Sequence, residues 1–166
     1  YRHAVLRLRE LLARLRERAD CAIWTGTGAP SRDELVAGVR HCEGLLCLLT
    51  DRIDAEVIAA ALRLRVISSC SVGVDHVDVR AASSRGIRVG NTPGVLTETT
   101  AELAFALMLA ASRRVAEADR FVRAGLWTPE RRWQPGLLLG RDLFGSTLGV
   151  IGLGPIGQAV ATRAQA

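Results

Sequence analysis

The sequence of 166 residues is long enough for one compact domain, or for one small domain and part of another. Apolar residues make up 49% and charged residues 23%, a balance typical of a soluble globular protein that excludes disordered and fibrous classes. The net charge of +5 is concentrated in residues 1–18, where six arginines stand against Glu10 and Glu17, so no nucleic-acid-binding surface is expected across the fold.

Apolar runs and cysteines bear on whether the chain has a membrane segment, disulfides or a metal site. The longest strongly apolar stretch, residues 103–111, is far shorter than the roughly 20 residues that span a bilayer, so no membrane segment is predicted. The cysteines show neither CxxC pairing nor a histidine at metal-ligand spacing. We therefore interpret Cys21, Cys42, Cys47 and Cys70 as small buried apolar side chains in a reducing, cytoplasmic compartment, and predict no metal site.

The first half of the chain alternates helices with short apolar strands. Leucines at helical spacing predict an amphipathic helix over residues 4–19. The later predicted elements are a strand at 21–24, a helix begun by Ser31, a strand at 44–50, a helix begun by Asp54, a strand ending near Ser71, a helix closed by Gly86 and a strand ending near Asn91. This alternation is typical of crossover units on a parallel sheet covered on both faces, so we predict a doubly wound α/β domain.

A different organisation follows the NTPG turn at residues 91–94. Thr97 is expected to cap one long helix from Glu98 to about Arg123. The front half of that helix, AELAFALMLAAS, is apolar on nearly all sides, so we expect it to be buried between domains or subunits. After a loop rich in Trp, Pro and Arg, the run LGVIGLG predicts the first strand of a second parallel sheet.

That strand leads into a GxGxxG motif formed by Gly152, Gly154 and Gly157. Between a strand and a helix, the first glycine permits a tight turn, the second lets backbone approach a pyrophosphate, and the third packs helix against strand. We interpret the motif as a dinucleotide-binding turn; the alternative is an ordinary strand-to-helix turn. Pro155 is favourable at the first helical position but has no N–H, so Ile156 and Gly157 would supply the helix-end donors.

A second candidate site is SSCSVGVDHVD, residues 68–78, which follows a buried parallel strand where open α/β sheets bind their ligands. The backbone N–H groups of Val72 and Gly73 could hold an anionic group. The alternative is that Gly73 only permits the turn and that Asp75 caps the next helix. His76 could act as a catalytic base, but a lone histidine in a turn is more often a structural hydrogen-bonding residue.

Three segments, in this order and spacing, resemble the D-isomer-specific 2-hydroxyacid dehydrogenases: VISSCSVGVDHVDV, RGIRVGNTPGVLTETTAELAFALMLAASRR and STLGVIGLGPIGQAVA. Within that family, GLLCLLTDRID, SVGVDH and GVLTETTAELA are most similar to the animal members that reduce glyoxylate and hydroxypyruvate. The similarity runs from about Leu8 to Gln165. It implies a flavodoxin-like doubly wound substrate domain, of which residues 1–96 are the N-terminal part, and the incomplete start of a Rossmann nucleotide-binding domain in residues 97–166.

The resemblance also implies an activity and its site residues. Family members reduce a small 2-oxo acid to the D-2-hydroxy acid with NADP or NAD as cofactor, and the resemblance favours NADPH. Val72 and Gly73 are expected to bind the substrate carboxylate, and Trp133 to reach the active site of a neighbouring subunit. The positions that match cofactor contacts are Thr100, near the nicotinamide, and Gly152, Gly154, Pro155, Ile156 and Gly157, at the pyrophosphate. Pro155 replaces the arginine of the most similar members, which bears on the tightness and phosphate preference of cofactor binding.

The resemblance implies a homodimer formed through residues 98–123. In the family, the arginine that anchors the carboxylate and the His–Glu pair that donates a proton lie later in the nucleotide domain. None of His3, His41 and His76 matches that histidine, so we predict no catalytic residue and no activity for residues 1–166 alone. Two alternatives remain: a non-enzymatic, dinucleotide-sensing protein similar to the corepressors of this fold, and a module that only dimerises with a complete partner.

Overall fold

The structure, a computed structural model, describes residues 10–165. The chain divides into two compact units, Tyr1–Thr92 and Pro93–Ala166. Helix α1 occupies residues 10–16 of the first unit and ends before the predicted boundary at residue 19, because residues 17 and 18 form a turn. The earlier part of the predicted helix over residues 4–19, and His3, lie outside the described residues.

The first unit is built on a parallel sheet. Its strands are β1 (Gly44–Cys47), β2 (Val66–Ser69) and β3 (Arg88–Gly90), in the spatial order β1-β2-β3. In register, Leu45 lies opposite Ile67, which in turn lies opposite Val89. Because neighbouring strands are consecutive and parallel, each connection is a crossover that contains a helix. The predicted α/β class and the three predicted strands from residue 44 onward are confirmed, although β1 ends at Cys47 rather than at residue 50 and β2 at Ser69 rather than near Ser71.

The helices of this unit begin at side chains that satisfy free N–H groups. They are α2 (Arg32–Val39), α3 (Ala55–Ala60) and α4 (Val79–Ser84). Ser31 and Glu34 form a reciprocal capping box at α2, and the Asp54 carboxylate accepts hydrogen bonds from two N–H groups at the start of α3. The caps predicted at Ser31 and Asp54 are confirmed.

The cap of α4 differs from the alternative considered for Asp75. Asp78 accepts the hydrogen bond from Ala81 N at 2.8 Å, and Asp75 lies outside the helix. The reason is an isolated parallel bridge between Ile53 and Val77: Ile53 N donates to His76 O, and Asp78 N donates to Ile53 O, both at 2.8 Å. This pairing holds residues 76–78 outside the helix, so α4 begins three residues later than it would with Asp75 as its cap.

The core of the first unit lies between the sheet and its helices. Its most buried large side chains include Ile53, Ile58 and Ile67. Of the cysteines, all free, Cys47 is buried but Cys70 is exposed, and the other two are partly exposed, so the prediction of four buried thiols is wrong for three of them. Cys70 directly follows buried Ser69, and successive side chains of an extended segment point to opposite faces.

The predicted strand at residues 21–24 is also wrong, since these residues pair with no described strand. An apolar run becomes a strand only where a neighbouring backbone takes up its N–H and C=O groups. Trp24 instead folds back over its own turn, where its Nε1 donates to Gly28 O at 3.0 Å.

The second unit contains α5 (Thr97–Ser112), α6 (Val115–Arg123) and α7 (Pro155–Gln165). The single long helix predicted over residues 98–123 is therefore interrupted, and Thr97 is its first helical residue rather than its cap. Arg114 adopts the left-handed conformation, with φ of 54°. At this break Arg141 N donates to Ser112 O at 2.8 Å, so a distant segment satisfies a carbonyl at the end of α5.

The strand predicted for LGVIGLG is not formed: residues 148–154 are irregular. Within the described part of the chain no strand runs beside them, so there is no ladder to hold them extended. The side chain of Ile151 is fully exposed, and that of Leu153 is 63% exposed. Among the helices of residues 10–165, none combines the length and apolar character needed to cross a bilayer.

Candidate functional site

The turn after β2 is held by its carbonyl groups. Ser71 O accepts hydrogen bonds from Thr92 N at 2.9 Å and from Thr92 Oγ1 at 3.1 Å. Val72 O accepts from Asn91 Nδ2 at 2.7 Å. Because the peptide unit is planar, fixing each carbonyl also fixes the N–H of the next residue on the opposite side. The segment after β3 thus orients the backbone at the end of β2.

The N–H groups of Val72 and Gly73 are left available by this arrangement. Neither donates a hydrogen bond to any residue that the structure describes, and Val72 is 45% exposed. Two adjacent N–H groups with fixed directions can receive a carboxylate or another anion. A Cβ on Gly73 would lie 3.3 Å from Asp75 Oδ2, so the nearest group to this position among residues 10–165 is a carboxylate.

A chain of hydrogen bonds lies beneath the turn. Ser69 Oγ lies 2.6 Å from Ser71 Oγ and 2.8 Å from His76 Nε2, and Ser71 Oγ donates to Gly73 O at 2.6 Å. Ser69 is 1% exposed. Sequence reasoning did not single out these two serines; hydroxyl residues at the end of an otherwise apolar strand were the available signal.

The neighbouring thiol adds no negative charge to this region. Cys47 lies opposite Ser69 in the register of β1 and β2. Burial raises the pKa of the Cys47 thiol, with the hydrogen bond to Ser69 opposing that shift. The thiol therefore stays protonated at neutral pH. No group of three or more His, Cys, Asp or Glu side chains within residues 10–165 is placed to hold a metal ion.

The three glycines of the turn in the second unit, Gly152, Gly154 and Gly157, differ in backbone conformation and in the room available for a side chain. Gly152 has φ of 89°, a left-handed conformation that favours glycine. A Cβ on Gly157 would overlap Gly152 O, so the start of α7 lies directly against the turn. A Cβ on Gly154 would meet nothing within 4 Å. This last position is open to an incoming group, as a pyrophosphate cradle requires.

The start of α7 provides donors beside that open position. Gly154 O accepts from Gln158 N at 2.9 Å, and Leu153 O accepts from Gln158 Nε2 at 2.9 Å. The N–H groups of Ile156 and Gly157 donate to no residue in the described range, and the positive end of the helix dipole lies at the same place. The turn can thus accept a phosphate group through its backbone.

An apolar groove runs along this turn within the second unit. Its lining includes Ala104 and Met108 of α5, residues 148–152, and Gly154 and its successors at the start of α7. Thr100 lies one helical turn before Ala104, so the two residues share a face of α5. Trp133 is 82% exposed and is not among the residues that line the groove.

Comparison with known proteins places these features in a family. The family model of the D-isomer specific 2-hydroxyacid dehydrogenase catalytic domain matches residues 4–163. The chain belongs to this family. A glyoxylate reductase of Korarchaeum cryptofilum is 50% identical over 154 residues, which cover 93% of this chain and 46% of that protein.

Solved structures of similar proteins agree with the membership in this dehydrogenase family. The TT0316 protein of Thermus thermophilus has a TM-score of 0.86 and 53% identity, covering 94% of this chain and 49% of that one. The chain therefore spans about half the length of the relatives it matches. The comparison confirms the resemblance to this family and the doubly wound fold that both the alternation of elements and the resemblance predicted.

Two further similar structures contain nicotinamide cofactors. The Aquifex aeolicus D-lactate dehydrogenase, complexed with NAD and lactic acid, has a TM-score of 0.69 and 30% identity, covering 78% of this chain and 38% of that one. The acyclic imino acid reductase Bsp5, in complex with NADPH and D-Arg, has a TM-score of 0.76 and 27% identity, covering 93% and 48%. Members of this dehydrogenase family use NAD or NADP.

Proposed function

We propose that this chain contributes the substrate-carboxylate turn and the dinucleotide turn of a reductase that converts glyoxylate, hydroxypyruvate and related 2-oxo acids to D-2-hydroxy acids. One observation carries the proposal: Val72 and Gly73 present unpaired N–H groups, in fixed directions, at the carboxyl end of β2. Open α/β sheets bind ligands at that edge. The relatives named glyoxylate reductase favour glyoxylate among the possible substrates.

NADPH or NADH would supply the hydride in this reaction. The open space at Gly154 and the free N–H groups of Ile156 and Gly157 fit a pyrophosphate. Pro155 contributes no donor, so the backbone after it carries the contact. Thr100 would lie toward the nicotinamide, on the face of α5 that borders the groove. NADPH as the preferred cofactor is part of the proposal and rests on the resemblance.

The arginine that anchors the carboxylate beside Val72 and Gly73, and the His–Glu pair that donates the proton, are expected outside residues 1–166, because His41 and His76 do not match the family's histidine. His3, the remaining histidine, lies outside the described residues. His76 Nε2 is already engaged with Ser69 Oγ. Residues 1–166 alone would therefore bind and orient a 2-oxo acid without reducing it. They lack the arginine charge and the proton-donating histidine that stabilise the transition state.

We also propose that the protein is a homodimer formed through residues 98–123. Leu103 and Leu107 lie one turn apart on α5, and each is 60% exposed within this chain. An apolar surface of this kind is typical of a subunit interface. Exposed Trp133 would then reach a neighbouring active site. The same face supports the alternative that the chain only dimerises with a complete partner, which co-purification with that partner would reveal.

A chimera tests the catalytic proposal. The 154 matching residues of the Korarchaeum cryptofilum glyoxylate reductase are replaced by those of this chain, and oxidation of NADPH and NADH is followed with glyoxylate, hydroxypyruvate and pyruvate. We expect turnover of glyoxylate with NADPH as the better cofactor, and none by residues 1–166 alone. A folded chimera that oxidises neither cofactor, while the unmodified relative does, would contradict the proposal.

A further inference from the structure

The hydrogen-bond chain beneath the turn has a defined direction. A carbonyl oxygen can only accept, so the Ser71 hydroxyl proton lies toward Gly73 O. The 2.6 Å contact between the two hydroxyls then needs the proton of Ser69. With that proton used, Ser69 Oγ can only accept: from His76 Nε2–H, and from the S–H of the protonated Cys47 thiol. The chain therefore runs from the imidazole, through both hydroxyls, to the Gly73 carbonyl.

The surroundings of the second ring nitrogen of His76, Nδ1, also favour a proton on Nε2. His76 Nδ1 is buried and has no hydrogen-bond partner in the described part of the chain. A tautomer with its proton on Nδ1 would leave that proton unpaired, and would also leave the contact with Ser69 without a proton. The tautomer with the proton on Nε2 avoids both costs.

The last hydrogen bond of this series, from Ser71 Oγ to Gly73 O, fixes a third peptide plane. No described peptide bond is cis, so the N–H of Val74 points away from the Gly73 carbonyl that Ser71 holds. This N–H donates to no described residue. Thr92 and Asn91 hold the two preceding planes by their carbonyls in the same way.

We infer that His76 and Ser69 are positioning residues that act through Ser71 to hold the N–H of Val74 as a third donor for the substrate carboxylate, beside the N–H groups of Val72 and Gly73. The inference rests on the proposed function of this turn. A histidine that does not match the catalytic histidine of the family is thereby given a role in substrate binding. Fixing the donors before binding avoids the entropy cost of ordering them around the ligand.

The test is a titration of residues 1–166 with oxamate, a 2-oxo acid mimic with one carboxylate, followed by the amide resonances in ¹⁵N NMR spectra. Ethyl oxamate, its uncharged ester, is the ligand control. Ser69→Ala breaks the hydrogen-bond chain. Ser84→Ala removes a hydroxyl whose one hydrogen bond within residues 10–165 is to Ala81 O in α4. His76→Gln keeps an N–H donor on a side chain of similar reach, and His76→Leu removes it.

We expect oxamate to shift the amide resonances of Val72, Gly73 and Val74. Ser69→Ala and His76→Leu should weaken binding about fivefold, the loss of roughly one hydrogen bond, and should abolish the response of Val74. His76→Gln and Ser84→Ala should bind within about twofold of the unmodified chain, since neither breaks the chain of donors. Rescue by glutamine separates positioning from a general loss of packing.

The titration distinguishes failure of this inference from failure of the proposed carboxylate site. If Val72 and Gly73 respond to oxamate but Val74 does not, or if Ser69→Ala binds as tightly as the unmodified chain, the inference is overturned and the proposed carboxylate site stands. If none of the three amides responds, the proposed function of the turn is contradicted, and the inference fails with it.

Discussion

Gly154 and Gly157 occupy the same short turn but are constrained by different neighbours. Replacing Gly157 by Ala would drive a Cβ into the backbone oxygen of Gly152, and neither backbone segment can move without opening the start of α7. We expect Gly157→Ala to lower the free energy of unfolding by about 1–3 kcal/mol, as overpacking does elsewhere. Urea unfolding of residues 1–166 measures this change.

Gly154→Ala is the matched substitution, because its Cβ would enter open space. Stability should stay within about 0.5 kcal/mol of the unmodified chain. In the chimera, however, the methyl group would occupy the space proposed for the pyrophosphate, and the KM for NADPH should rise about tenfold, since close backbone approach is lost. An unchanged KM would argue against phosphate binding at this turn.

Asp75 places a carboxylate beside the turn that is proposed to bind an anion. Asp75→Asn should tighten oxamate binding by about twofold to threefold at low salt, because a repulsive charge is removed, and the gain should shrink as salt is added. Asp33→Asn, in the first turn of α2, is the control for a general change in net charge. Equal affinity for both variants at low salt would mean that the anion binds elsewhere.

At the scale of elements, Asp54 joins two helices. Its carboxylate caps α3 and accepts hydrogen bonds from Arg32 of α2 at 2.8 and 3.0 Å. The Arg32 guanidinium, more than the backbone donors, holds the pKa of Asp54 below its ordinary value of 3.8. A lowered folded-state pKa means that this stabilisation is fully present above pH 3.8 and is lost as the pH falls through the folded-state value.

Two substitutions of Asp54 separate the contribution of its charge to stability from the contribution of its N-cap hydrogen bonds. Asp54→Asn keeps a good N-cap but loses the charge, so its stability deficit should be present at about pH 6 and smaller at about pH 3. Asp54→Ala also loses the cap and should cost about 1 kcal/mol more at both pH values. Urea unfolding gives both comparisons. A deficit of Asp54→Asn that does not shrink in acid would contradict the charge-based account.

The elements also mark where sequence reasoning succeeds and where it cannot. Ser31 and Asp54 were predictable as caps, because capping depends on residues within one turn of each other. The break at Arg114 was not predictable, since it depends on Arg141 N reaching Ser112 O from a segment far along the chain. LGVIGLG has the composition of a buried strand, but a strand also needs a partner, and local composition carries no information about that.

At the scale of the whole molecule, the alternation of helices and apolar strands predicted the α/β class because crossover connections require it. The edge of the sheet that carries Val72 and Gly73 followed from the same alternation. The hydrogen-bond chain from His76 did not, since it depends on the three-dimensional path of residues 69–76. Periodicity identifies the buried face of an element but not the hydrogen bonds made by its polar residues.

Assembly is a property of the whole molecule. We expect the chain to dimerise through α5, so Leu103→Arg with Leu107→Arg should shift residues 1–166 from dimer to monomer by introducing charge into an apolar interface. Leu62→Arg is the matched control, because Leu62 is similarly exposed, at 67%, but lies outside the proposed interface. Light scattering after size-exclusion chromatography gives the mass of each. Dimers that persist in the double variant would contradict this interface.

Two turns of this chain are proposed to hold the substrate carboxylate and the cofactor pyrophosphate. Both turns can be examined together in a crystal structure of the chimera with NADPH and oxamate. We expect the oxamate carboxylate within hydrogen-bond distance of the N–H groups of Val72 and Gly73, and the pyrophosphate against Gly154 and Ile156. Well-ordered ligands bound away from both turns would contradict the proposal.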